Sequence, residues 1–241
     1  MKPETVDRGA IREASTDATP ADTQARLLAA AERLFAEKGY ANVSVRAIAA
    51  EAGVNWSLLG YYFRGKEGLL SEVYRRHCRT LNAERVKLLA AARHAPDRLE
   101  AVIEAFVRPA LAEIQLPGDQ SSFSRLRAIL AAEDSALLNQ LVADNFDMSS
   151  RTFVTALHES LPGVPLDEVL WRFHFMLGTI YYSVASPQRI KTFSKGRCDP
   201  GNLEETVRHL VPFLAAGFRA GSPRGRTPTN RRMNRPKSTP R

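Results

Sequence analysis

At 241 residues the chain is long enough for one sizeable hydrophobic core or two modest ones, and its apolar and charged fractions are those of an ordinary globular protein. It offers no run of about 20 apolar residues, so no membrane role is expected; the best candidate, FMLGTIYYSVA, is short and follows Arg172 and His174. The net charge of +8 is concentrated in GSPRGRTPTNRRMNRPKSTPR, which holds seven cations and no acid, so basicity alone does not establish a nucleic-acid partner.

Residues 1–18 are polar and patternless, and the Pro/Arg-rich tail 221–241 cannot build a core; both are expected to be disordered. Thr19, Pro20 and Asp22 form a capping-box-like start to a first helix, whose apolar residues Leu27, Ala30, Ala31, Leu34 and Phe35 share one face up to Gly39. Ser44 caps a second helix with Val45, Ile48, Ala49 and Ala52 inward, and Gly53 ends it. Asn55 caps a third helix running to about Phe63, and a fourth starts near Lys66. Further helices are predicted over 97–115, 121–133, 135–160, 166–186 and 203–219, with no convincing strand. The predicted fold is all-α: a three-helix N-terminal unit over 19–83 and a larger helical bundle over 84–220.

Helix, glycine turn and helix is the sequence form of a helix-turn-helix, in which the first helix braces a second that enters the DNA major groove. Val54, Leu59 and Phe63 suit anchoring of the second helix. Asn55, Trp56, Ser57 and Tyr62 remain for phosphates, sugars and base edges, and Lys66 lies where a phosphate would be met. Trp56 is expected to be exposed, and Tyr61, beside Leu58 and Leu59, to pack.

The segments LFAEKGY, SVRAIAAEAGV and YYFRGKEGLL stand in an order and spacing that resemble the N-terminal domain of TetR-family transcriptional regulators over residues 20–83. The resemblance implies a DNA-binding head on an all-α ligand-binding body, acting as a homodimer on a palindromic operator and repressing transcription until a small molecule binds. It also implies DNA contacts from Ser44 and Arg46 at the start of the bracing helix, from Trp56, Ser57, Leu58, Gly60 and Tyr62 on the recognition helix, and from Lys66. Leu58 and Gly60 depart from the residues common at those positions, so the operator cannot be transferred from relatives.

The segments WRFHFMLGTIYYSV and HLVPFLAAGFRA resemble a subgroup that includes fatty acid and acyl-CoA sensors, which implies an amphipathic effector, acyl among the options. Phe106, Phe123, Phe146, Phe153, Trp171, Phe175 and Met176 are the candidate pocket lining, although each also suits ordinary core. The helix over 166–186 is apolar nearly all round, which predicts burial on both sides. Arg172 and His174 on it either bind an effector anion or bridge to acids across the dimer. No catalytic elbow, phosphate loop or metal spacing is present, so neither an enzyme, a cofactor nor a metal is expected. Cys78 and Cys198, far apart, together with the lack of a secretory leader, predict a cytoplasmic location. Two rival readings are a helical carrier of an apolar ligand, which leaves the head unexplained, and a tail-driven non-specific nucleic-acid binder.

Overall fold

The computed structural model describes residues 19–112, residue 126 and residues 136–221, which form helices without a strand. The expected tails (Gly221 apart), most of the helix predicted over 121–133 and Phe123 lie outside the described residues.

The head comprises α1 (Pro20–Lys38), α2 (Val45–Ala52) and α3 (Ser57–Phe63), followed by the long α4 (Lys66–Ala92). At the start of α1 the Thr19 hydroxyl accepts from the Asp22 backbone N–H, and the Asp22 carboxylate accepts from Thr19 in return. This capping box satisfies two donors that a helix start otherwise leaves open. The stripe predicted for α1 packs on α2 and α4, burying Leu27, Ala31 and Phe35 completely.

Helix α4 runs unbroken past residues 83 and 84, where the sequence suggested a division, and carries the chain from head to body. The body adds α5 (Arg98–Ala112), α6 (Ala136–Glu159), α7 (Leu166–Ala185), α8 (Pro187–Phe193) and α9 (Leu203–Arg219). Helix α5 is central, packing against α4, α6, α7 and α9. It buries Val102, Ile103, Phe106, Val107 and Ala110, so head and body share one continuous core. The short α8 was not foreseen in the sequence, because its apolar residues, Ile190 and Phe193, are both exposed and form no inward stripe.

Helix α7 corrects an expectation. It buries Val169, Phe173, Met176, Ile180 and Val184, but Leu166, Leu170, Trp171, Phe175 and Tyr182 are exposed on its other side. Among the described residues, therefore, this apolar helix has only one face covered.

Candidate nucleic-acid interface and ligand cavity

Polar contacts shape both ends of α2 and the entry to α3. The Ser44 hydroxyl accepts from the Ala47 N–H at 3.1 Å and caps α2. Gly53 ends α2 in the left-handed region at φ 63°, and the Arg26 guanidinium donates to its carbonyl at 3.1 Å. The positive φ is what requires glycine here; a Cβ would also lie 2.7 Å from the mobile tip of the Arg26 guanidinium. Asn55 accepts from both the N–H and the hydroxyl of Ser57, each at 2.9 Å, at the entry to α3, but the N-cap position expected of it falls on Trp56, which makes no side-chain cap.

Leu59 and Phe63 are buried and fix one side of α3 to the core. Gly68 allows this seating: a Cβ there would stand 1.8 Å from the Phe63 carbonyl oxygen. The outward side carries Trp56, Ser57, Gly60 and Tyr61, with Asn55 exposed at its start. Tyr61 corrects the packing expected of it, since 78% of its surface is exposed. Its ring instead stands edge-on to Tyr62 at 5.0 Å. Tyr62 and Leu58, read as DNA contacts, are half-buried, and Tyr62 packs partly against the core. At Gly60 no atom comes within 4 Å of where a Cβ would be, leaving bare backbone between the exposed rings.

Ser44 and Arg46 are exposed at the start of α2. Lys66, at the start of α4, holds its ammonium 4.1 Å from the centre of the Tyr40 ring. Partial burial lowers its pKa from the ordinary lysine value. Of the nine expected DNA-contact positions, Ser44, Arg46, Asn55, Trp56, Ser57 and Gly60 are thus exposed, while Leu58, Tyr62 and Lys66 are half-buried.

Residues 27–73 match the family described as bacterial regulatory proteins, tetR family, and residues 104–217 match the Tetracyclin repressor-like C-terminal domain. Between them these matches span more than half of the chain. The chain belongs to the TetR family. A relative named "Probable HTH-type transcriptional regulator YttP", from Bacillus subtilis (strain 168), is 41% identical over 63 residues, 24% of this chain and 30% of that protein. The match to that curated relative thus spans less than a third of its length.

The fold resembles the fatty acid degradation regulator FadR from Bacillus halodurans, with a TM-score of 0.60 and 17% identity over 83% of this chain and 97% of that one. It also resembles FadR from Bacillus subtilis in complex with stearoyl-CoA, with a TM-score of 0.56 and 17% identity over 80% and 98% of the two chains. The ketosteroid transcriptional regulator KstR2 of Mycobacterium tuberculosis gives a TM-score of 0.56 and 19% identity over 83% and 96%. At these identities the likeness concerns the TetR-type fold.

In the C-terminal domain the pocket residues expected from sequence divide into two sets. Phe106, Phe146 and Phe173 line a cavity of about 210 Å³ between α4, α5, α6 and α7. Phe106 stacks edge-on against Phe153 at 4.9 Å and Phe173 at 5.1 Å, and Phe153 and Met176 are buried core. Trp171 and Phe175 stack at 5.9 Å on the exposed face of α7, with His174 beside them, so the pocket role expected of these three is corrected: they do not line this cavity.

Arg172 is corrected as well. Its guanidinium donates to the carbonyls of Phe218 and Ala220 at 2.7 and 2.9 Å, with Glu168 at 3.4 Å, so it caps the end of α9 within its own chain.

The sequence reading missed Arg85, which lines the cavity and is only 4% exposed. Its Nε donates to the Phe106 carbonyl at 3.0 Å, and its guanidinium carbon lies 3.6 Å from the centre of that ring. A signal for it existed: Leu81, Arg85 and Leu89 recur every four residues on the buried stripe of α4.

Proposed function

We propose that this TetR-family chain is a ligand-responsive, sequence-specific transcriptional repressor that binds a palindromic operator as a homodimer. The observation that carries this reading is α3, whose anchored inner side leaves Trp56, Ser57, bare Gly60 and Tyr61 outward, with Arg46, Arg64 and Lys66 nearby. Aromatic and hydroxyl groups beside cations suit a surface that meets a polyanion bearing readable base edges. In this proposal Ser44, Arg46, Asn55, Trp56, Ser57, Tyr61 and Lys66 touch DNA, Gly60 admits its close approach, and Leu58 and Tyr62 mainly hold the helix.

The exposed apolar face of α7, with Phe213 also exposed on α9, which packs against α7, supports a second copy as its cover. A two-fold dimer requires half-sites about 34–36 Å apart, or a multiple of that. Helix α4 supports coupling, because it carries Lys66 in the head and Arg85 in the cavity wall, about 28 Å apart along one helix. A small effector that prefers one setting of α4 shifts the separation of the two heads and releases the operator. No described helix is long and apolar enough to cross a membrane, in keeping with a cytoplasmic site of action.

Selection from a random duplex DNA pool, with sequencing of what is retained, tests the reading. Enrichment of a two-fold-symmetric motif supports it. Retention without a motif overturns it in favour of charge-driven binding by the basic tail, and a chain truncated after Ala220 separates the two, because head-driven recognition survives that truncation.

A further inference from the structure

We propose that Gly60 is a specificity-determining residue: its bare backbone receives the methyl group of one thymine in each operator half-site. This rests on the reading of α3 as the recognition helix and names what that helix reads. Glycine weakens the interior of a helix relative to alanine, and a helix of seven residues has little intrinsic stability to give up. A glycine in such a place calls for a reason of conformation, of space or of contact. Conformation supplies none, because Gly60, unlike Gly53, has no positive φ. Space within the chain supplies none either. Gly68 must be small to clear the Phe63 carbonyl, whereas a Cβ on Gly60 would meet no atom within 4 Å. Gly178 and Gly217 are equally open helical glycines, but they lie on α7 and α9 of the body.

Contact with something outside the chain remains. Gly60 is exposed on the outward side of α3, with Trp56 and Ser57 one turn before it and Arg64 one turn after. A shallow hollow therefore divides larger side chains. Its floor is nearly devoid of hydrogen-bonding groups. The Gly60 carbonyl already accepts the Arg64 N–H at 3.0 Å, and glycine has no side chain to donate or accept. Base edges that present amino or carbonyl groups gain no partner there. Thymine alone among the four bases projects an apolar group, its C5 methyl, into the major groove. A methyl group entering the hollow leaves water for the Gly60 Cα and the flank of the exposed Trp56.

Close approach of a bare backbone to DNA needs an attraction nearby, and Arg64 supplies it. Among the described residues Arg64 is exposed and pairs with no acid, whereas Arg33 and Arg75 are held by Glu51 and Glu72. A free guanidinium at the end of α3 draws a phosphate towards the helix.

The test starts from the two-fold motif selected out of random duplex DNA. Each thymine of one half-site is replaced in turn by deoxyuridine, which removes only the methyl group, and the dissociation constant is measured. With the native chain, one such replacement is expected to lower affinity about fourfold, the worth of one buried CH₂ group. In Gly60→Leu and Gly60→Ala the added carbon occupies the hollow, so the preference for the methyl at that thymine should fall below about twofold or reverse. Gly60→Ala decides where the larger side chain weakens binding beyond measurement. Its urea midpoint should not fall, because alanine favours a helix more than glycine does. A methyl effect at no thymine, or one that stays above about twofold in Gly60→Ala, overturns the assignment and leaves the regulator reading standing. A pool that yields no motif sinks both.

Discussion

Helices α3 and α7 both hold large aromatic side chains out to solvent, yet they expose them in different company. On α3, Trp56 and Tyr61 are 57% and 78% exposed, with hydroxyls, bare backbone and cations around them. On α7, Trp171 and Phe175 are 61% and 62% exposed, in a stripe continued by Leu166, Leu170 and Tyr182. Exposure is nearly equal, so the neighbours decide what each surface fits. A polar, cationic setting suits a charged partner that stays wet, whereas an unbroken apolar stripe gains free energy only when another apolar surface excludes water from it.

The largest expected effect breaks the head alone. Gly68→Ala drives a Cβ into the Phe63 carbonyl and is expected to cost about 3 kcal/mol of stability, read by urea denaturation. Operator binding should disappear with the seating of α3, while sedimentation still reports a dimer through α7.

Phe175→Glu breaks the other surface. Placing a charge in the apolar stripe is expected to weaken self-association by about 2 kcal/mol, near 30-fold, in sedimentation equilibrium. Helix content by circular dichroism should hold, because the side chain is exposed in the single chain. An unchanged dimer would remove α7 from the interface.

Tyr61→Ala sharpens the contrast between exposed and packed aromatics. At an exposed position its thermal stability should change by no more than about 0.5 kcal/mol, where a core aromatic would lose about 3–5 kcal/mol. Affinity for the selected operator should fall by about 1 kcal/mol. Lys66→Ala should weaken binding to all duplexes and lower the slope of log affinity against log salt by about one; an unchanged slope would take Lys66 off the phosphates.

The smallest effect concerns how α9 closes the body. The Arg219 guanidinium donates to the Glu100 carboxylate of α5 and holds the Glu100 pKa below the usual carboxylate value. A depressed carboxylate contributes stability above its unfolded pKa and loses it as pH falls through the folded one. The melting temperature of Glu100→Gln should therefore lie slightly below that of the native chain at neutral pH, and the gap should close below about pH 4. A gap that persists in acid would show that the pair contributes by packing instead of charge.

The helices and the turn were legible in the sequence because their causes are local. Thr19 and Asp22 cap α1 through backbone only three residues away, and Gly53 ends α2 because its own φ is positive. Leu59 and Phe63 followed from spacing. Tyr61 did not, because its neighbours along the chain include Leu58 and Leu59, whereas its ring rests on Tyr62 and faces away from the core. Arg85 was not singled out in the sequence, although the four-residue recurrence of buried positions on α4 carried it inward. Arg172 read as a functional charge because its partners, the carbonyls of Phe218 and Ala220, lie at the far end of the chain.

By itself the sequence determined the all-α class, the limits of most helices and the family to which the head belongs, since caps, glycine turns and apolar periodicity act over a few residues. Only the tertiary structure decided which aromatics are core and which are surface. That choice depends on α5 and α6 filling the space against one side of α7 while nothing among the described residues covers the other, and on α4 carrying Arg85 to the wall of a cavity whose opposite side is built from residues about 60 to 100 positions later.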